Sequence, residues 1–228
     1  MILDDEDILI QSVIDSISYE MVDLGLSVKW ANKNIGAYNP EDAGLYFQWG
    51  DTVGYTADQV SKDKVFNWSS YKFGERSNLT KYNSTDGLKV LESSDDAATV
   101  YMGSQYRMPT RSEIRELINN TTLTFIDLDG NEYSKEKAQN RAIKRGKLKG
   151  VRFTGSNGNS IFIPAAGYCG ESLLDEVGVS CELWSSSLYS DNDDYAKFLS
   201  FDYDGFISEY SRLYRCCGQS IRGVKKTL

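Results

Sequence analysis

An α+β fold of short antiparallel strands, with two helices between them, is what this sequence predicts. Fifteen tyrosines and nineteen glycines against three prolines favour many short strands and tight turns over long helices. Two segments near the middle of the chain combine helix-capping residues with helical spacing of apolar ones. Everything after Val151 reads as strands separated by turn residues. At 228 residues, 40% hydrophobic and 12% aromatic, the chain is long enough to bury the core of one large domain with a short appendage. Residues 1–19 are expected to form an N-terminal helical appendage and residues 20–228 the domain.

The elements come in order along the chain. Ile8, Ile10, Val13, Ile14 and Ile17 give residues 4–18 the spacing of a short amphipathic helix, with acids at its start that complement the helix dipole. Val22–Trp30 reads as a strand region with Gly25 as a turn or bulge. Asn39-Pro40-Glu41-Asp42 is a turn, and Tyr46–Trp49 a short aromatic strand. Residues 50–80, polar and rich in Gly, Ser and Asn, read as a long ordered loop anchored by Trp68 and Tyr71. Ser93 or Ser94 is expected to cap a helix that runs through Asp95–Ala98 to Gly103. Thr110 and Glu113 have capping-box spacing ahead of Ile114, Leu117 and Ile118. Residues 134–147 are basic and compatible with an exposed helix or a hairpin arm. Val151–Thr154 and Ser160–Pro164 flank a Gly-Ser-Asn-Gly turn and form a hairpin. Leu183–Ser186 is a short strand. Tyr195–Tyr203 puts Leu199 and Phe201 on one face and Phe198, Ser200 and Asp202 on the other. Ser220–Val224 closes the sheet.

Charge and composition exclude several classes of function. Acids outnumber bases by 33 to 25, a net charge of −8, which repels phosphate backbones and makes nucleic acid an unsuitable partner. No apolar stretch approaches the ~20 residues of a membrane span, so membrane insertion is not expected. Four of the first seven residues are acidic, which is the opposite of a secretory signal. The expected location is therefore a virion or the cytoplasm, or a cell surface if a leader has been removed. Histidine is absent, and Cys169, Cys181, Cys216 and Cys217 have no zinc-site spacing. Free thiols are expected, and neither a metal nor another cofactor.

A series of motifs resembles one family in order along residues 20–224. Val22-Asp23-Leu24-Gly25-Leu26-Ser27-Val28-Lys29-Trp30-Ala31 is similar to the opening motif of the Fibrobacter succinogenes major paralogous domain family of gut bacteria and their phages. Tyr46–Gly50, Asp95–Ala98, and Arg107–Thr110 with Glu113 continue the resemblance. So do Gly158–Gly167, Trp184–Ser187 and, last, Arg215 through Arg222. That family is similar to C-type-lectin-like domains, to formylglycine-generating enzymes, and to the variable proteins of diversity-generating retroelements. The resemblance implies a C-type-lectin-like fold and a ligand-binding or display protein with a diversified C-terminal surface, such as a phage receptor-binding protein. Its ligand would be a protein or glycan on a cell surface. The alternative is a structural or adhesive surface domain of a gut bacterium without diversification.

The ligand surface is expected in Leu188–Cys217, where tyrosine, serine, aspartate and arginine crowd as they do in antibody paratopes. Tyr189, Asp191, Asp193, Phe206, Ser208, Tyr210, Arg212, Leu213, Tyr214, Cys216 and Cys217 are the candidate contacts. Adenine replacement in asparagine codons ending in a pyrimidine never yields Lys, Glu, Gln, Met or Trp. Within this segment only Lys197 and Glu209 depart from that set. Asp191–Asp194 offers clustered oxygen atoms for calcium, but the Glu-Pro-Asn and Trp-Asn-Asp motifs of sugar-binding lectins are missing, and a solvated acidic loop is the better reading. Asp127–Asn131 lacks the closing Glu of an EF-hand and reads as a hairpin turn. Catalysis is not expected: no histidine is present to act as general base, and capping explains Asp95 and Asp96.

Overall fold

The computed structural model describes residues 17–63, 65–170 and 173–226. The helix expected over residues 4–18 falls almost wholly outside them, and Ile17 and Ser18 are not helical. The chain begins with β1 (Met21–Val22), turns near Gly25 and enters β2 (Val28–Ala31). After the turn at Asn39–Asp42, where Asp42 N–H donates to the Asn39 carbonyl, comes β3 (Tyr46–Phe47). Residues 50–80 then hold more than the expected loop: a helix α1 (Ala57–Asp63), a 3-10 turn at Trp68–Ser70, and the hairpin β4 (Gly74–Glu75) and β5 (Asn78–Leu79). Thr56 and Gln59 cap α1 reciprocally, a T-x-x-Q signature present in the sequence.

The middle of the chain holds two expected helices and one correction. Asp96, not Ser93 or Ser94, caps α2 (Ala97–Met102) by accepting from Thr99 N–H, while Ser93–Asp95 form a 3-10 turn. The capping box of α3 (Arg111–Asn120) forms as expected between Thr110 and Glu113, and Ile114 and Leu117 are buried. Arg107 adds a bidentate ion pair to Glu113.

Strands dominate the chain from Thr122 onward. β6 (Thr122–Asp127) and β7 (Glu132–Ser134) form the hairpin around Asp127. The basic segment after it contains only one short helix, α4 (Lys135–Gln139), whose Ala138 is buried. β8 (Leu148–Thr154) and β9 (Ser160–Pro164) pair with Phe153 opposite Ile161. A small ladder of β10 (Tyr168–Cys169) and β11 (Leu174–Asp175) precedes β12 (Ser180–Leu188) and β13 (Tyr195–Asp202). The chain then returns along β13 as β14 (Ile207–Ser208) and β15 (Arg212–Tyr214). The expected closing strand splits into β16 (Gln219–Ser220) and β17 (Val224–Lys226), which belong to different sheets. Between them Ile221 enters the core and Arg222 donates to Asn34 and to the Phe162 carbonyl, so residues 221–223 cross from one sheet to the other.

The architecture is mixed α+β. A central sheet runs β14-β13-β12-β16-β3, with β15 also on β13, and a second runs β7-β6-β8-β9. β1, β2 and β17 form a third sheet that joins the two ends of the domain. Strand alternation buries both faces of the central sheet. Cys181, Leu183, Leu199 and Phe201 face a core shared with β6, β8, β9 and α3. Trp184, Leu188, Ala196 and Phe198 face a second core with Phe47, Trp49, Tyr71, Phe73 and Tyr82. The segments that carry the family resemblance meet across these cores. Tyr46 hydroxyl donates to the Ala166 carbonyl, Asp96 accepts from Met108 N–H, and Gln48 donates to the Cys216 carbonyl. Gly167, at φ 63°, approaches the Asp175 carbonyl so closely that a Cβ would sit 2.0 Å from it, so only glycine fits. Among the described residues no helix is long and apolar enough to cross a membrane.

Candidate binding face

The face is built on the edge of β13. Its turn is set by Asp202, whose carboxylate accepts from the N–H groups of Asp204 and Phe206, and by Gly205 at φ 75°. The returning chain pairs Ser208 with Ser200, leaves the ladder at Glu209–Ser211, and pairs again from Arg212 opposite Lys197 to Tyr214 opposite Tyr195. This interruption sends the Tyr210 side chain outward, 60% exposed.

Tyrosines and cations alternate across the surface that results. Arg111, from the start of α3, lies 4.1 Å from the Tyr210 ring centroid. Lys197 Nζ lies 4.2 Å from the Tyr189 ring and donates to the Tyr210 carbonyl. Arg212 lies 4.8 Å from Tyr189 and 5.8 Å from Tyr195. Tyr195 stacks on Tyr214 at 4.4 Å and 25°, and Arg76, from the β4–β5 hairpin, sits 4.9 Å from Tyr214. Each such contact contributes ~0.5–1 kcal/mol at an exposed site, which suffices to hold the rings in one arrangement. Burial, together with the charges of Arg111 and Arg212, lowers the pKa of Lys197. Hydrogen bonds from Ser190 and Tyr189, with Lys197 and Arg212 close by, hold the Asp191 carboxyl below its usual range. The strip is thus a cationic, tyrosine-rich surface on an acidic protein.

Of the residues expected in the ligand surface, Tyr189, Asp191, Tyr210, Arg212 and Tyr214 come together here. Ser208 supports them by accepting from Tyr210 N–H. Leu213 is half-buried and packs on the second core. Phe206 is exposed but lies at the opposite end of β13, in the Asp202–Phe206 turn. Asp193 pairs with Lys89 at 3.3 Å and borders a neighbouring cleft. Cys216 and Cys217 do not belong to the surface: they are 1% and 5% exposed and pack in the second core. The chain dives inward after Tyr214 because Arg215 is drawn into an aromatic cage and Gly218 pairs with Cys169. All four cysteines are free thiols and buried.

Sequence reasoning passed over Tyr195, although it lies inside the expected segment, and Arg76 and Arg111, which no local pattern ties to the tail. The two residues outside the adenine-replacement set, Lys197 and Glu209, are 7% and 9% exposed. Both are largely covered, Lys197 by the Tyr189 ring over its ammonium.

Arg215 organises the loops beside the strip. It is fully buried and stacks over Trp49 at 4.9 Å and Tyr71 at 5.2 Å. Its guanidinium donates to the Tyr71 hydroxyl and to the carbonyls of Lys81, Tyr82 and Asp193. Asp95, also buried, anchors the same loop by accepting from Lys72, Lys81 and Tyr82. Burial pushes its pKa up, but those three hydrogen bonds outweigh it and leave the carboxyl below its usual range. Asp95 and Asp96 are thus structural residues. Among the described residues no cluster of three or more His, Cys, Asp or Glu side chains is placed to hold a metal ion. No family model, curated protein or solved structure matches this chain.

Proposed function

We propose that this chain is a recognition module with a C-type-lectin-like fold that binds a protein or glycan on a cell surface through the β13–β15 edge. Binding, not catalysis, is its role, and the tail that forms the face is diversified as in retroelement variable proteins. The observation that carries this reading is the strip of Tyr189, Tyr195, Tyr210 and Tyr214 interleaved with Arg76, Arg111, Lys197 and Arg212. Tyrosine and arginine are among the residues enriched at binding hot spots, and here they are ordered before any partner arrives. The ordered set of family motifs along the chain supports the diversification reading.

The test is genomic. A reverse-transcriptase gene beside this one, with a near-copy of the region encoding Leu188–Leu228 that differs at adenines, is the expected arrangement. A locus with neither feature would leave a fixed adhesive domain as the account of the same surface.

A further inference from the structure

We infer that the cleft between the β4–β5 hairpin with its following loop and the Asn192–Asp194 turn is a binding site for a neutral, hydroxyl-rich ligand, a sugar ring of a glycan. This extends the recognition reading to a second contact beside the strip, outside the segment that the sequence singles out. The cleft encloses about 380 Å³, near the lower end of the ~300–1,000 Å³ usual for ligand pockets. Asn78, Ser84, Thr85, Asn192, Asp193 and Asp194 line it, and Leu79 supplies an apolar patch of wall.

The chemistry of the lining selects the ligand. Amides and hydroxyls both donate and accept, and carboxylates accept, so the groups that match all of them are hydroxyls. Each carboxylate already has a cationic neighbour: Asp193 pairs with Lys89 at 3.3 Å, and Asp194 lies 3.8 Å from Arg76. A free anion would meet two carboxylates, and a free cation would meet two that are engaged. Asn78, Ser84, Thr85 and Asn192 are exposed, and the Asn78, Ser84 and Thr85 side chains bond no other group among the described residues. Both walls are fixed in advance. Arg215 holds the carbonyls of Lys81, Tyr82 and Asp193 together, and Ser77 N–H donates to Asp194 across the cleft at 2.8 Å. Asn83 holds its own loop by donating to the Leu79 carbonyl and accepting from Thr85 and Asp86 N–H groups. Little ordering remains to be done on binding.

The experiment is a two-dimensional amide NMR titration of the intact chain with glucose, galactose, mannose and N-acetylglucosamine, in turn, with EDTA present throughout. Galacturonic acid serves as the anionic control. Saturable shifts of amides in residues 77–85 and 192–194 are expected with at least one neutral sugar, and weaker or no shifts with galacturonic acid. The Asn78→Ala/Thr85→Val double variant, altered only at exposed positions, should weaken that sugar at least tenfold. A Tyr210→Ser/Arg212→Ser variant should leave it within twofold, which separates this cleft from the strip. No saturable shift with any of the four sugars would overturn the inference, as would shifts mapping elsewhere or an affinity unchanged in the cleft variant. In each of those cases the recognition reading stands or falls separately, on the locus.

Discussion

Trp49 and Trp184 tie β12 to β3 and the chain that follows it by donating in opposite directions. Trp184 Nε1 donates to the Phe47 carbonyl and Trp49 Nε1 to the Ser185 carbonyl, each at 2.8 Å. Each residue is fully buried, and each indole bonds to backbone close to the other tryptophan, so the two segments are tied together twice. The tyrosine strip stands on this lock through β12 and β13.

Replacing Trp184 by alanine removes one side of the lock and opens a large cavity in the second core. The expected cost is ~3–5 kcal/mol, as for other buried aromatic residues cut to alanine. Denaturant unfolding followed by circular dichroism measures it. An unchanged midpoint would contradict the packing described for β12.

The strip should behave differently. Tyr210 and Arg212 are exposed, so the Tyr210→Ser/Arg212→Ser variant should cost no more than the ~0.5–1 kcal/mol of each ring contact that it removes. Thermal melts monitored by circular dichroism test this. A loss of several kcal/mol would make these two side chains part of the core and remove them from any binding role.

Arginine at 215 is not replaceable by lysine. A single ammonium cannot reach the Tyr71 hydroxyl and the three carbonyls that the guanidinium fork serves. Arg215→Lys should cost ~2–4 kcal/mol, since buried acceptors are left unpaired. Stability equal to wild type would mean that the aromatic cage, not the hydrogen bonds, holds this residue.

Glu182 gives the fold a pH dependence. Burial, reinforced by the charge of Glu176, raises its pKa to about 8. Between the unfolded value near 4.5 and about 8, the folded state holds a proton that the unfolded state has lost. Stability from this group is therefore complete below pH 4.5 and declines as pH rises towards 8. Glu182→Gln keeps a hydrogen-bonding partner for Gln219 and removes the ionisation. The variant should match wild type near pH 4.5 and exceed it in melting temperature at pH 8. Parallel pH profiles would show that Glu182 ionises normally.

Local patterns in the sequence predict local structure well here. The Thr110–Glu113 box, the β8–β9 hairpin and the two faces of β13 all follow from capping, turn residues and alternation. Helix α1 carries the equivalent Thr56–Gln59 box, yet its one buried apolar residue, Val60, gives it no periodicity to read. The inward path of Cys216 and Cys217 depends on Gln48, 168 residues away from Cys216, and on Arg215 reaching Tyr82 across 133 residues. Nothing near the cysteines in sequence marks them as core. The strip is half legible for the same reason. Tyr189, Tyr210, Arg212 and Tyr214 are dense in one segment, whereas Arg76 and Arg111 arrive from distant elements that only the folded sheet brings alongside.

Deep sequencing of the Leu188–Leu228 coding region in a population of the source organism tests the central claim most directly. Substitutions should concentrate at the codons of Tyr189, Asp191, Tyr210, Arg212 and Tyr214, on the surface that the strip forms. The codons of Lys197, Glu209, Arg215, Cys216 and Cys217, all buried, should stay constant. An invariant segment, or substitutions as frequent at Arg215 as at Tyr210, would contradict a diversified recognition face.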